Sequence, residues 1–338
     1  MAKRILAVVI IAFACWLSVA HVEGDTILSP EIATLYANLA TQKISLQIYQ
    51  NESFVRVRGS ANVTSQVSGS SMVVRYQDKK FILTNFHVVQ AMVEVYVEDL
   101  KTGNMYPSNV IGKDPVLDLA ILSLPKELEH LKEVPFSDAV VGEIVFAIGF
   151  PFGQRNVTVG FITSDKLVYA MFLLSQVPLN PGNSGGPLLN ARQEVVGINT
   201  AYRPQANLYS FSIPSSYVQR MLPQLVAGGT IRHGHPKLNL ADYRDLLPRN
   251  FSAMGIPYPL KKPGVVVLGF QDDAAAQQGI DVGDVIVAID DSRIESLGDY
   301  ADRLLFFYKS GQKMTLTLLR GAEEIQIELK LSSVPEMQ

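Results

Sequence analysis

The chain has 338 residues, 48% of them hydrophobic, and a formal charge of −3. That apolar content is enough for a packed core and argues against wholesale disorder, and the charge gives no support to a strongly basic nucleic-acid face. The only cysteine is Cys15, so the chain beyond it holds no thiol and no disulfide.

Lys3 and Arg4 open the chain, Ile5 to Leu17 is an unbroken apolar run, and Ser18-Val19-Ala20 resembles a small-residue cleavage site. The run is shorter than the ~20 residues of a membrane span. Residues 1–20 therefore read as a signal peptide, with an uncleaved membrane anchor as the alternative. Its removal takes Lys3 and Arg4 away and shifts the formal charge to −5. Residues 21–43 read as an N-terminal arm carrying a short helix from Pro30 to Ala40, with Ile32, Leu35, Tyr36 and Leu39 at helical spacing.

From Ile44 to Tyr217 the pattern is short strands divided by turns, among them Ser71–Tyr76, Phe81–Thr84, Val93–Val97, Ile144–Ile148 and Glu194–Ile198. No long amphipathic helix interrupts them, which predicts an all-β barrel or sandwich. Ser215 then opens a helix that Gly228-Gly229 ends, closing a first domain over residues 44–228. Residues 229–235 read as a linker. Beyond it, strands at Val265–Leu268, Val285–Ile289, Met314–Leu319 and Ile325–Leu331, with a helix over Leu297–Tyr308, predict a second, α+β unit within residues 229–338.

Three stretches carry chemistry. Asn180-Pro181-Gly182-Asn183-Ser184-Gly185-Gly186-Pro187-Leu188 holds a serine on a turn whose glycines permit sharp bends and whose N–H groups can converge on one spot. Taken alone, it could equally be a Pro/Gly-rich hairpin. Upstream, His87 ends the apolar stretch Leu83-Thr84-Asn85-Phe86, and Asp118 opens Leu119-Ala120-Ile121-Leu122. A serine hydroxyl is a weak nucleophile that needs an imidazole base, which a buried carboxylate orients. The order His87, Asp118, Ser184 is that of chymotrypsin. Asp114 precedes Pro115 and reads as a turn residue, which favours Asp118 as the orienter. His233 and His235 could supply two metal ligands, but no third is evident nearby, so neither a metal nor another cofactor is expected.

These residues resemble the HtrA (Deg) family of exported serine proteases. The likeness runs over about residues 45–332 and rests on Thr84–Val89, Asp118–Leu122, Ala147–Gly153, Asn180–Leu188 and Gly197–Ala201, then on Gly279-Ile280-Asp281-Val282-Gly283-Asp284-Val285-Ile286 and Gly311. It implies a mainly β fold: a chymotrypsin-like double β-barrel followed by a C-terminal α+β PDZ domain. It further implies an exported, periplasmic, ATP-independent endopeptidase for unfolded polypeptides, working as a homotrimer through an acyl-enzyme. Ser184 would be the nucleophile, His87 the base and Asp118 the orienter, with the N–H groups of Gly182 and Ser184 as oxyanion hole. Leu179, Ile198 and Thr200 would line the S1 pocket. Pro178, not an acid, stands six residues before Ser184, so small or medium aliphatic P1 residues are expected. The stretch Leu238-Asn239-Leu240 resembles the carboxylate-binding loop that captures C-terminal peptides, with Asn239 where glycine is usual. The segment between Ser164 and Asn180 is shorter than the family's regulatory loop. The alternative is a low-turnover chaperone or sensor scaffold that binds peptides through its PDZ unit.

Overall fold

The computed structural model describes residues 30–49, 51, 53–60, 66–168, 172–202 and 209–333. The expected signal peptide lies outside them. Two units divide the chain, Met1–Asn51 and Glu52–Gln338. Among the described residues the first contains the helix Pro30–Tyr49. It runs past the arm boundary expected at residue 43, into a stretch expected to be strand. Ile44, Leu46 and Ile48 alternate as in a strand, but Ile44 and Ile48 also sit one helical turn apart, and extending an existing helix needs no new nucleus. The first strand therefore begins at Phe54. Among the described residues, no helix is long and apolar enough to cross a membrane.

The second unit opens with an eight-stranded sheet. Its spatial order is Gly229–Thr230, Val110–Asp114, Leu119–Ser123, Lys79–Thr84, Gln66–Tyr76, Phe54–Ser60, Glu94–Glu98 and Met105–Ser108. Val55, Val57, Val73, Ile82, Val97 and Leu122 fill its core, as β-branched and apolar residues do on a pleated surface with one face inward. Six strands then close into a barrel: Phe172–Ser175, Ser210–Pro214, Val195–Tyr202, Pro187–Asn190, Ile144–Gly149 and Asn156–Val168.

Helix Ser215–Ala227 follows and ends at Gly228, whose φ of 94° no β-carbon-bearing residue adopts easily. The linker expected over residues 229–235 is instead structured. Gly229–Thr230 adds a parallel strand beside Gly112 and Lys113, and Gly234–His235 pairs with Ser332–Ser333. The remaining sheet runs Leu238–Asp242, Val265–Phe270, Val285–Ile289, Lys313–Arg320, Glu323–Lys330, with Ser292–Arg293 on the third strand. Helix Leu297–Phe307 buries Tyr300, Leu304 and Leu305. Its other side meets the Ser215–Ala227 helix: the Tyr217 and Phe306 rings stand edge to face at 5.0 Å, and the Arg220 guanidinium lies 3.4 Å from the Phe306 centroid.

Candidate active site

His87 follows the strand Lys79–Thr84 on a single helical turn, Phe86–Val89. Val88 and Val89 are buried, which anchors the turn and leaves the His87 side chain 41% exposed. The Asp118 side chain, only 12% exposed, engages His87 twice. The two side chains meet at 2.7 Å between His87 Nδ1 and Asp118 Oδ2, and the His87 backbone N–H donates to Oδ1 at 2.8 Å. A carboxylate can only accept, so Nδ1 carries a proton, and in the neutral ring Nε2 is the nitrogen left to act as a base. Asp118 adopts φ 56°, the left-handed region, and its backbone carbonyl accepts from Phe86 N and Asn85 Nδ2. The turn carrying the carboxylate and the turn carrying the imidazole are thereby fastened to each other at four points.

Ser184 sits where the sequence places it, on the turn between Asn180 and Pro187. Gly182 has φ 104°, and a Cβ there would lie 2.7 Å from the Phe150 carbonyl oxygen. Gly185 has φ 83°, and its Cβ would meet the Ser70 carbonyl at 2.2 Å. Both positions therefore require glycine. Along the turn Asn183 N–H donates to Asn180 O, Gly185 N–H to Asn199 O and Gly186 N–H to Asn183 O. Among the described residues, neither the Gly182 nor the Ser184 N–H is engaged in a backbone hydrogen bond, which leaves two donors on one turn for an oxyanion.

The Ser184 hydroxyl donates to the Thr200 carbonyl at 3.3 Å. Among the described residues no hydrogen bond joins it to His87. Thr200 links the two halves of the site, because its own hydroxyl donates to Asp118 Oδ2. Thr200, expected at the S1 pocket, thus also gives its hydroxyl to the carboxylate that holds His87. Leu179 and Ile198, expected in the same pocket, are buried at 7% and 0% exposure. Leu179 packs in the barrel core with Val145, Ala147, Ile162 and Leu188.

Ser70, which the sequence reading passed over, is buried at the centre of this arrangement. Its hydroxyl donates to Gly182 O at 2.6 Å and accepts from Phe150 N–H at 3.0 Å. Its backbone N–H donates to Ser184 O, and its carbonyl accepts from Thr84 Oγ1. The signal available was Gly69-Ser70 inside a strand, since Gly69 leaves room where a Cβ would sit 2.6 Å from Val88 and 3.3 Å from Ser184 O.

In the C-terminal sheet Leu238–Asp242 is an edge strand, paired only with Val265–Phe270 among the described residues. Leu238 is buried in the core and Leu240 packs against it, whereas Asn239 is exposed and reaches Phe270 O with its amide at 3.4 Å. The left-handed residue of this loop is Lys237, with φ 59°, and not Asn239. Lys237 N–H donates to His235 Nδ1 at 2.9 Å, which holds the turn without a glycine. His233, two residues earlier, is buried against Asp114, so the two histidines do not face a common ligand position.

Residues 69–198 match the family model of a trypsin-like peptidase domain, and residues 252–331 that of a PDZ domain. A putative serine protease HhoA of Synechocystis is 32% identical over 284 residues, covering 79% of this chain and 71% of that one. A probable periplasmic serine endoprotease, DegP-like, of Pseudomonas fluorescens is 33% identical over 291 residues. The match takes in 82% of this chain, which spans only 59% of that relative's length. Among solved structures, an HtrA-type protease AlgW with tripeptide superposes with a TM-score of 0.71 at 24% identity, over 87% of this chain and 97% of that one. The serine endoprotease from Yersinia pestis gives 0.63 at 24% identity, over 88% and 97%.

Proposed function

Since the chain belongs to the HtrA/Deg family of serine proteases, we propose that it is an exported, periplasmic endopeptidase that cleaves unfolded polypeptides through an acyl-enzyme. The observation that carries this reading is the linked set His87–Asp118–Thr200–Ser184, with the Gly182 and Ser184 N–H groups making no backbone hydrogen bond among the described residues. Ser184 Oγ leaves the Thr200 carbonyl, passes its proton to His87 Nε2 and bonds to the substrate carbonyl carbon. The carbonyl oxygen takes the negative charge and is met by the Gly182 and Ser184 N–H groups; one such donor is worth roughly 3–4 kcal/mol in comparable sites. His87 then gives its proton to the leaving amine as the C–N bond breaks. Water, deprotonated by the same nitrogen, releases the acid and regenerates the hydroxyl. Asp118 keeps the tautomer and stabilises the imidazolium.

Leu179 and the absence of an acid at Pro178 support small or medium aliphatic residues at P1. The free edge of Leu238–Asp242 supports capture of C-terminal peptides by strand addition, with Leu238, Asn239 and Leu240 at the loop. Assembly as a homotrimer follows the family. The Ser184–Thr200 hydrogen bond favours one refinement, a resting enzyme whose hydroxyl engages His87 only once substrate or a C-terminal peptide is bound.

The test is fluorophosphonate labelling together with casein digestion. Wild type should label and digest, with most cuts after aliphatic residues and faster labelling when a hydrophobic C-terminal peptide is added. Ser184→Ala should do neither. Digestion surviving in Ser184→Ala would refute the nucleophile. Cuts mainly after Arg or Lys would refute the pocket, and a labelling rate indifferent to peptide would refute the refinement.

A further inference from the structure

Asp114 and His233 form a buried pair outside the set described above. Asp114 is fully buried and His233 is 3% exposed, with His233 Nε2 2.8 Å from Asp114 Oδ2. A carboxylate in such a place is sustained only by donors that replace water. Asp114 has three. Oδ2 accepts from His233, and Oδ1 accepts from the Val116 and Leu117 N–H groups at 3.0 Å each. Those two N–H groups belong to the turn that runs from Asp114 to Asp118, and Asp118 ends it in the left-handed region. The Asp114 side chain therefore sets the shape of the turn that delivers Asp118 to His87.

His233 in turn is held by both halves of the second unit. Just before it, Ile231 N–H donates to Lys113 O, continuing the parallel strand Gly229–Thr230 along Val110–Asp114. Around it, Ser310 N–H donates to Arg232 O, Gly234 N–H to Tyr308 O, and His233 itself bridges Lys309. Tyr308 to Ser310 is the loop that leaves helix Leu297–Phe307, which packs over the expected peptide-binding strand. The imidazole is thus carried on a segment that both the eight-stranded sheet and the PDZ unit must position.

We propose that His233 and Asp114 are a positioning pair for the catalytic carboxylate: docking of the PDZ unit seats His233 on Asp114, and Asp114 holds the turn that aims Asp118 at His87. The proposal rests on the reading of Asp118 as the residue that orients His87. Loss of the imidazole leaves Asp114 one donor short and lets the turn relax. The cost falls on the chemical step, because Asp118 acts on the imidazole and not on the bound peptide.

The test compares His233→Ala, His233→Asn and His233→Gln in the full chain. A glutamine amide reaches about as far as Nε2, whereas an asparagine amide stops short. Steady-state peptide hydrolysis is normalised to sites titrated with a fluorophosphonate, so misfolded molecules do not enter the rate. His233→Ala and His233→Asn should lose roughly tenfold in kcat with KM within about twofold, the scale at which coupled networks respond. His233→Gln should keep more than about half of the wild-type kcat. If His233→Ala fails to fold, the asparagine–glutamine contrast decides alone. A kcat per site unchanged in the asparagine variant, or a loss confined to KM, or no rescue by glutamine, overturns the proposal. Wild type that never labels would overturn the catalytic reading itself, a result distinct from any of these.

Discussion

Ser70 shows how much of the candidate site depends on a residue buried behind it. Its one hydroxyl joins the carbonyl of Gly182 to the N–H of Phe150, while its backbone N–H holds the carbonyl of Ser184. Both residues proposed to donate to the oxyanion are thereby gripped from behind. Gly182, at φ 104°, lacks the side-chain restraint that would otherwise fix its peptide planes. Ser70→Ala removes the hydroxyl's share of the grip on Gly182, leaving the longer Phe150 N–H bond to Gly182 O at 3.3 Å and the backbone bond to Ser184. It should lower kcat by roughly tenfold, less than loss of an oxyanion donor outright, with KM and the melting temperature little changed. Kinetics per titrated site would check this, and an unchanged kcat would mean that Phe150 N–H alone suffices. The triad candidates were legible because nucleophile, base and carboxylate each need a recognisable residue type in a recognisable local context. Ser70 and Thr200 were not, because their work is defined by what lies across the fold from them. Nothing within a few residues of Thr200 says that its hydroxyl will face Asp118 and its carbonyl Ser184.

At the scale of elements, periodicity located the strands Gln66–Tyr76, Lys79–Thr84, Glu94–Glu98, Ile144–Gly149 and Val195–Tyr202 in the peptidase unit, and the glycine pair at 228–229 marked the end of helix Ser215–Ala227. What it could not reveal were elements whose partners are distant. Gly229–Thr230 and Gly234–His235 are too short to carry a pattern and exist because Gly112, Lys113 and Ser332–Ser333 offer them hydrogen bonds. In the carboxylate loop Asn239 stands where glycine is usual, yet the left-handed residue is not there. It falls at Lys237, where the His235 imidazole accepts the loop's N–H. The packing of helix Ser215–Ala227 on helix Leu297–Phe307 yields a prediction of the same scale. Arg220 stacks on Phe306 and pairs with Asp302 at 3.1 Å, beside the Tyr217–Asp302 hydrogen bond. Arg220→Ala removes the stack and the pair together. Because the ion pair is 40% exposed, most of the loss should come from the stack, about 1 kcal/mol. Hydrogen exchange should quicken over residues 297–307 and stay unchanged in the strand Leu119–Ser123. Equal protection of the helix in both proteins would mean that the contact does not hold it.

At the scale of the whole molecule, the expected mature chain is mildly acidic and free of thiols, and groups whose titration the fold shifts, some only half-buried, tie its stability to pH. His235 is the most telling of them. Burial pushes its imidazole below the ordinary histidine value, the Lys237 ammonium pushes the same way, and Asp272 opposes both. The folded chain therefore binds its proton less readily than the unfolded chain does. The stability that neutral His235 contributes is in place above its unfolded pKa, about 6.5, and drains away as the pH falls through the lower folded value. The same proton also occupies Nδ1, the atom that accepts from Lys237 N–H and shapes the carboxylate loop. Acidification should thus weaken C-terminal peptide binding and PDZ-unit stability together. Thermal melts and peptide titrations of the full chain at pH 7 and pH 5, set beside His235→Gln, isolate this group from the carboxylates that titrate lower. The variant should lose stability and affinity at pH 7 and show the shallower decline of both toward pH 5. Parallel declines in the two proteins would assign the acid sensitivity elsewhere. A decline in stability without one in affinity would mean that the loop keeps its shape when Nδ1 is protonated.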